Sequence, residues 1–212
     1  MRAFPHHMAR GLDSLRELVP RLSVILELRD ARIPISSINP AFDAIIEDSK
    51  VPRVVVYTHG DLASGTRSLK HCIDARRRQK VGSLIPQLIR SNSPPPVFST
   101  TGTLAAIVGL PNAGKSTVVN QLRRKSVAVT GKAPGVTRST TTFAVGKGLF
   151  CVDTPGIIPP TAVSDIHSMK LAAVGALPLA DAPGGAVGVA EFLHLASNAP
   201  AYVFAVVYGA HA

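Results

Sequence analysis

The residues Gly109–Ser116, Gly-Leu-Pro-Asn-Ala-Gly-Lys-Ser, have the types and spacing that bind phosphate groups. They match the pattern G-x-x-x-x-G-K-S, in which backbone amides surround the phosphates of a nucleotide. The apolar run 104–108 precedes them and predicts a strand, while residues 117–122 predict a helix. The sequence therefore predicts a nucleoside-phosphate site between a strand and the N-terminus of a helix, whose dipole favours anions.

Two side chains at the end of this loop suit the chemistry of a bound triphosphate. Lys115 would reach the β- and γ-phosphate oxygens, and the Ser116 hydroxyl would ligate Mg²⁺. The loop amides would surround the β-phosphate, because consecutive N–H groups form an anion-binding concavity. The expected nucleotide-contacting residues of the loop are Asn112, Ala113, Gly114, Lys115, Ser116 and Thr117.

A second motif, Asp153-Thr-Pro-Gly156, follows another apolar run further along the chain. Taken alone, these four residues are typical of an ordinary turn. In combination with the phosphate loop, Asp153 would hold Mg²⁺ through water and the Gly156 amide would contact the γ-phosphate. Between the two motifs lies Pro134–Thr137, where Thr137 is suited to close on both Mg²⁺ and the γ-phosphate.

Recognition of the base requires a further motif, and its position in the sequence determines the order of the motifs along the chain. No Asn-Lys-x-Asp tetrapeptide follows Gly156, but Thr58-His59-Gly60-Asp61 ends an apolar strand upstream of the loop. A carboxylate at Asp61 would accept both N1–H and N2–H of guanine, a pair that adenine does not offer. The order along the chain is therefore base motif, phosphate loop, Thr137 segment and then Asp-Thr-Pro-Gly. This is a circular permutation of the Ras-type order, which α/β domains tolerate when their termini lie close together.

Composition limits the class of protein and the kind of partner. The chain has 212 residues, a formal net charge of +10 and a pI of about 10.2. This charge favours a polyanionic partner such as RNA, although a basic surface without such a partner remains an alternative. Two cysteines, Cys72 and Cys151, are too few for a disulfide framework and favour a reducing compartment. Polar residues interrupt the long uncharged run 192–212, which argues against a membrane span.

Hydrophobic periodicity and turn residues predict the elements that position these motifs. We expect an α/β domain at 21–161, preceded by a helical segment at 1–20 and followed by a helical region at 162–212. The predicted helices are 8–19, 41–47, 67–90, 117–122, 169–177 and 190–196, and the predicted strands are 22–28, 51–57, 104–108, 140–145 and 149–152.

Four stretches together resemble the circularly permuted GTPases of the YlqF/RbgA type, and most closely their mitochondrial ribosome-associated branch. They are Phe4–Gly11, Leu28–Pro34 with Asn39-Pro40, Gly109–Thr117, and Pro134–Arg138 with Asp153–Gly156. The resemblance implies a three-layer, Ras-like P-loop GTPase fold with permuted motif order, followed by the start of a small C-terminal helical domain. It also implies GTP/GDP and Mg²⁺ as ligands.

The same resemblance implies a cellular location and a binding partner. Similar proteins assist assembly of the large ribosomal subunit or mitochondrial translation and bind rRNA. The implied location is the mitochondrial matrix or the matrix face of the inner membrane, with peripheral association and no transmembrane span. No transit peptide is visible ahead of Phe4, so the cytoplasm is the alternative location.

Hydrolysis requires a group that activates water, and the resemblance supplies candidates. Ile157 stands where Ras-type enzymes have a water-orienting glutamine, and an isoleucine cannot position water. In similar proteins an N-terminal histidine is the candidate, which carries over to His7, and Asn112 corresponds to an asparagine that ligates K⁺. The expected catalytic set is His7, Asn112, Lys115 and Thr137, and the expected metal ligands are Ser116, Thr137 and Asp153.

The base end departs from the family pattern. Thr58 and His59 replace the usual Asn and Lys, so His59 is left to stack on the base that Asp61 selects. The second base-contacting turn is hard to find between Lys70 and Gly109. These departures leave open a non-hydrolysing pseudo-GTPase that binds rRNA, while a P-loop ATPase or kinase is disfavoured because no adenine pocket is recognisable.

Overall fold

The computed structural model describes residues 6–60, 62, 81–94, 102–125, 141–146, 148–158 and 165–198. Of residues 6–10 it describes the backbone helix but not the side chains. Asp61, Thr137, Cys72 and the N-terminal part of the helix expected at 67–90 lie outside the described residues.

The described part of the chain contains six α-helices and five strands. The helices are α1 (His6–Leu18), α2 (Pro40–Ser49), α3 (Val81–Asn92), α4 (Lys115–Lys125), α5 (Asp165–Ala173) and α6 (Gly185–Asn198). The strands are β1 (Val24–Asp30), β2 (Arg53–Thr58), β3 (Thr103–Gly109), β4 (Thr141–Gly146) and β5 (Leu149–Asp153). Short 3₁₀ helices cover Val19–Arg21 and Leu179–Asp181.

The strands form one mixed sheet in the order β2-β1-β3-β5-β4. The first four strands of this order run parallel, and β4 pairs antiparallel to β5 as the predicted hairpin requires. Parallel strands place their carboxyl ends at one edge of a sheet, where open α/β sheets bind ligands. Thr58, Gly109 and Asp153 end β2, β3 and β5, so that edge collects the motifs expected to form the site.

Alternating residues of the central strands face two separate hydrophobic clusters. On β1, Leu26 and Leu28 belong to one cluster and Ile25 to the other; on β3, Ile107 and Val108 divide in the same way. Helices α3, α4 and α5 cover the first face, while α1 and α2 cover the second. Helices therefore lie on both faces of the sheet, which confirms the three-layer α/β architecture.

The N-terminal helix α1 packs directly on the second face. Leu12 and Leu15 are buried in the same cluster as Phe42 of α2 and Val108 of β3. Arg16 lies on the exposed side and pairs with Asp13 at 2.8 Å. The amphipathic stripe that predicted this helix is thus the surface that attaches it to the sheet.

Several elements begin or end at residues other than those expected. The strand expected at 22–28 is β1 at Val24–Asp30, because the 3₁₀ turn Val19–Arg21 occupies the chain before it. Helix α4 begins at Lys115 and not at 117, so the last loop residues already form its first turn. Helix α5 lies at Asp165–Ala173 instead of 169–177, because Gly175 takes a φ of +73° soon after it.

Candidate nucleotide-binding site

The phosphate loop leaves β3 at a residue that must be glycine. Gly109 has a φ of +153°, and a Cβ atom there would lie 2.5 Å from the carbonyl oxygen of Leu28 on β1. The loop then passes through Asn112 and Gly114, both with positive φ, before α4 begins. These conformations turn the chain tightly between strand and helix, as a loop that encloses phosphate requires.

Lys115 is held along the inside of this loop. Its Nζ donates to the carbonyl oxygens of Leu110 at 2.5 Å and Gly109 at 3.2 Å, and the residue is buried. Burial lowers the pKa of Lys115 to about 8, and the negative charge of Asp153 acts in the opposite direction. The lysine is therefore a buried cation close to the Asp153 carboxylate. A buried cation of this kind can form strong, charge-assisted hydrogen bonds with an anionic ligand.

The Asp-Thr-Pro-Gly motif begins beside the phosphate loop because β5 pairs with β3. Asp153 stands opposite Ile107 in the ladder, and the Thr154 hydroxyl donates to the Ile107 carbonyl at 2.8 Å. Burial raises the pKa of Asp153, while the positive charges of Lys115 and Arg123 oppose that shift. These contacts fix the start of the motif against the strand that carries the loop.

Gly156 then brings the motif into contact with the loop itself. A Cβ atom at Gly156 would lie 2.7 Å from both the Cα and the N atom of Pro111, and 3.0 Å from Lys115 Nζ. The next amide, Ile157 N–H, donates to the Gly109 carbonyl at 3.2 Å. Only glycine allows so close an approach, so the backbone of this turn lies where a γ-phosphate contact would be made.

The donor atoms at this edge fit a magnesium ion. Ser116 is exposed in the first turn of α4, and the half-buried Asp153 ends the neighbouring strand β5. A hydroxyl and a carboxylate are hard oxygen ligands of the kind that Mg²⁺ takes together with substrate phosphates and water. The third expected ligand, Thr137, lies outside the described residues.

At the base end, Thr58 connects β2 to the phosphate loop. Its hydroxyl oxygen lies 3.0 Å from the carbonyl oxygen of Ala113 and 3.2 Å from that of Arg29. Its methyl group also faces Gly114, where a Cβ atom would lie 3.4 Å from Thr58 Cγ2. Thr58 therefore ties the base-recognition strand to the loop, and its contact with a nucleotide stays a prediction.

His59 lies next to the loop in a left-handed backbone conformation, with a φ of +53°. Its Nδ1 is 3.1 Å from the Thr58 hydroxyl and 3.4 Å from a carboxylate oxygen of Asp30. Asp30 is itself buried and accepts from the backbone and guanidinium of Arg32. Sequence reasoning used Asp30 and Arg32 only as family markers and missed that they support the base-end histidine.

Two contacts link the site to distant parts of the chain, one from Asn112 in the phosphate loop and one from Ile157 after the Asp-Thr-Pro-Gly motif. The Asn112 side chain donates to the carbonyl oxygen of Gly175, beyond α5, at 2.6 Å. A Cβ atom at Gly11 of α1 would lie 3.3 Å from the Ile157 side chain, so the two are in contact. His7 stands one helical turn before Gly11 in α1, and its role stays a prediction.

A cavity of about 790 Å³ is bounded by Pro111, by Ile158 and by residues of α5, of α6 and of the segment between these helices. Its lining is mainly apolar, including Ala172, Leu177, Val189 and Leu193. Such a surface offers phosphate groups no donors, so the nucleotide site is assigned to the strand edge and not to this cavity. No helix in the described ranges is both long and apolar enough to cross a membrane.

The fold and the site define a class of protein. A parallel α/β sheet carries a phosphate loop between a strand and a helix, and the Asp-Thr-Pro-Gly turn lies against that loop. The strand of the base motif precedes the loop in the chain but lies two strands away from it in the sheet. This is a P-loop nucleotide-binding fold with a permuted order of motifs.

Comparison with known proteins identifies the family within that class. Residues 104–190 match the model of the 50S ribosome-binding GTPase family. Ribosome biogenesis GTPase A of Bacillus licheniformis is 33% identical over 192 residues, which cover 82% of this chain and 67% of the relative. Mitochondrial GTPase 1 of Schizosaccharomyces japonicus is 35% identical over 222 residues, with 82% of this chain and 65% of the relative covered. The chain belongs to the ribosome biogenesis GTPase A (YlqF/RbgA) family, as the sequence motifs predicted.

A solved structure agrees with this fold. The crystal structure of GNP-bound YlqF from T. maritima superposes with a TM-score of 0.59 at 21% sequence identity, covering 98% of this chain and 78% of that one. The chain spans about two thirds of the length of the curated relatives it matches. The predicted fold class is confirmed.

Proposed function

We propose that this chain binds GTP and GDP together with Mg²⁺ and hydrolyses GTP to GDP and phosphate. The observation that carries the proposal is the contact between the Gly156 turn and the phosphate loop at Pro111. That contact supports the proposal, because a backbone amide beside the phosphate loop would be able to sense whether a γ-phosphate is bound. When bound, Mg²⁺ would neutralise charge on the phosphates, held by Ser116, Asp153 and the expected ligand Thr137.

Discrimination between nucleotides tests the binding half of this proposal. Titration calorimetry should give tighter binding of GDP than of ADP, because only guanine offers both N–H groups to Asp61. The variant Asp61→Asn should reduce that preference and leave the fold intact. ADP binding as tight as GDP binding would exclude guanine recognition and with it the GTPase function.

The hydrolytic half of the proposal depends on a group other than residue 157. Ile157 is fully buried beneath α1, so it cannot position water. We assign that role to His7, because its helix lies over the same turn, and expect His7→Ala to lower kcat while GDP affinity is unchanged. Wild-type protein that binds GTP without turnover would instead indicate the non-hydrolysing alternative.

Asn112 is the proposed ligand of a K⁺ ion that supports hydrolysis. Its Nδ2 donates to the Gly175 carbonyl oxygen, which orients the side chain. The Oδ1 of the same amide is the atom that would ligate K⁺. We expect faster GTP turnover in KCl than in NaCl at equal ionic strength. Equal rates in the two salts would remove K⁺ from the mechanism.

We propose that the partner is the large ribosomal subunit and its rRNA; the matching family model is described as a 50S ribosome-binding GTPase, and a relative is named a ribosome biogenesis GTPase. The net charge of +10 supports binding to a polyanion. Association with large subunits should weaken steeply as salt is raised, and binding indifferent to salt would contradict an electrostatic contact with RNA. The names of the mitochondrial relatives support a mitochondrial location. Peripheral association with the inner membrane is a further part of the proposal, and fractionation tests both.

A further inference from the structure

The buried side chain of Asn39 joins two parts of the fold that are distant in sequence. Its Oδ1 accepts from the Ala41 amide at 3.1 Å and caps the N-terminus of α2. Its Nδ2 donates to the carbonyl oxygen of Ile157 at 2.9 Å. Asn39 is 1% exposed, so water cannot replace either contact without rearrangement of the core.

Ile157, the residue that Asn39 contacts, is held on three sides. Its amide donates at 3.2 Å to the carbonyl oxygen of Gly109, and Gly109 is the first residue of the phosphate loop. Its carbonyl accepts from Asn39, and its fully buried side chain contacts α1 at Gly11. The bond to Gly109 fixes the peptide plane between Gly156 and Ile157, and the bond from Asn39 fixes the next plane, between Ile157 and Ile158.

We propose that Asn39 is a positioning residue for the nucleotide site, which holds the Gly156 amide in place for the γ-phosphate. The inference rests on the proposed GTP binding. Gly156 has no side chain to anchor it, and its approach to Pro111 leaves no room for displacement toward the loop. The hydrogen bond from Asn39 restrains the same turn from the opposite side. The capping of α2 is thereby linked to the occupancy of the γ-phosphate position.

Two substitutions separate this positioning role from the capping of α2. Asn39→Asp and Asn39→Ser both keep an oxygen that caps the helix, because Asp, Ser and Asn are similarly good N-cap residues. Neither keeps a donor that can reach the Ile157 carbonyl. Asn39→Ala removes both contacts and serves as the reference for a general loss of stability.

The measurement is the ratio of affinities for a non-hydrolysable GTP analogue and for GDP, determined by calorimetry with Mg²⁺. We expect Asn39→Asp and Asn39→Ser to bind GDP within about twofold of wild type and to lose about 5- to 30-fold of the analogue preference, the effect of about one buried hydrogen bond. Hydrogen exchange of residues 154–158 should accelerate in the same variants. GTP turnover should fall in the same variants, with a higher KM for GTP, because the triphosphate is bound less tightly.

Each outcome decides between distinct explanations. A wild-type chain that binds neither nucleotide would contradict the proposed function itself, and one that binds both without preference would contradict γ-phosphate sensing at this turn. A wild type that distinguishes them, with variants that keep the full preference, would overturn the role of Asn39 alone. Equal losses for both nucleotides together with a lower melting temperature in all three variants would reduce Asn39 to a structural cap.

A measurement on the unmodified chain covers the case in which the variants do not fold. Because coupling is reciprocal, the analogue should slow exchange of the Ala41 and Phe42 amides in α2 more than GDP does. Identical exchange of these amides in the two nucleotide states would also contradict the inference.

Discussion

At the phosphate end of the site, three stretches of chain contact one another through backbone atoms, whereas at the base end side chains make the contacts. A Cβ atom at Gly109 would lie 2.5 Å from the Leu28 carbonyl oxygen of β1, and one at Gly156 would lie 2.7 Å from backbone atoms of Pro111. At the base end, Thr58 and His59 reach the loop and Asp30 through a hydroxyl and an imidazole. Backbone geometry constrains glycines, but side-chain contacts can be made by several residue types.

This difference explains which part of the family pattern is kept in this chain. The phosphate end retains its glycines, because no other residue satisfies the same backbone positions. The base end has exchanged Asn and Lys for Thr58 and His59, yet the hydroxyl of Thr58 still reaches the Ala113 carbonyl. A different side chain thus preserves the connection between the base strand and the loop.

The largest expected effect comes from the charge at the phosphate end. Lys115→Met removes a buried cation beside the phosphates and should weaken GDP and inosine diphosphate binding equally, by roughly 100-fold, since hydrogen bonds to charged groups are the stronger class. Calorimetry with both nucleotides measures the change. Arg16→Met, which removes an exposed charge from α1, is the control and should leave both affinities unchanged. Binding that survives Lys115→Met would contradict the assignment of the phosphate site.

The next largest effect is expected at the glycine turn. Gly156→Ala places a methyl group 2.7 Å from backbone atoms of Pro111, which cannot move as a side chain can. The turn must shift, so the preference for a GTP analogue over GDP should fall by about tenfold or more, and GTP turnover with it. Gly146→Ala is the control, because its φ is not positive and a Cβ atom there would lie 3.4 Å from the end of the flexible Arg90 side chain. A Gly156→Ala protein with normal turnover would show that this turn does not sense the γ-phosphate.

The sequence predicted the phosphate end more fully than the base end for the same physical reason. Gly109, Lys115 and Gly156 follow spacing rules that arise from the backbone, and such rules can be read in a single chain. The hydroxyl of Thr58 and the imidazole of His59 act through partners on other strands, Ala113 and Asp30, which local spacing does not encode.

Long-range supports were missed for a related reason. The bond from Asn39 to Ile157 and the bond from Asn112 to Gly175 join residues far apart in the sequence. Neither position shows a local pattern beyond a helix cap or a loop, so only the fold reveals them. The burial of Ile157 beneath α1 likewise depends on where the N-terminal helix attaches.

A moderate effect is expected where the two ends meet. Thr58→Val keeps the shape of the side chain but leaves the Ala113 carbonyl without its hydroxyl partner. We expect GDP affinity to fall about 5- to 10-fold, the effect of one hydrogen bond, with little change in the ratio of GDP to inosine diphosphate affinity. Thr58→Ser retains the hydroxyl and should restore most of the affinity. If Thr58→Val binds GDP as wild type does, the two ends are independent.

The smallest expected effect is at His59, where the family has a lysine that stacks on the base. His59→Asn retains a residue that tolerates the left-handed backbone but removes the ring, so stacking is lost without added strain. GDP and inosine diphosphate affinities should fall together by about threefold, because stacking does not depend on the 2-amino group. Asp61→Asn is the matched comparison, since it should lower GDP affinity more than inosine diphosphate affinity. A selective loss of GDP binding in His59→Asn would assign guanine recognition to the histidine and would remove the distinction between stacking and selection at the base end.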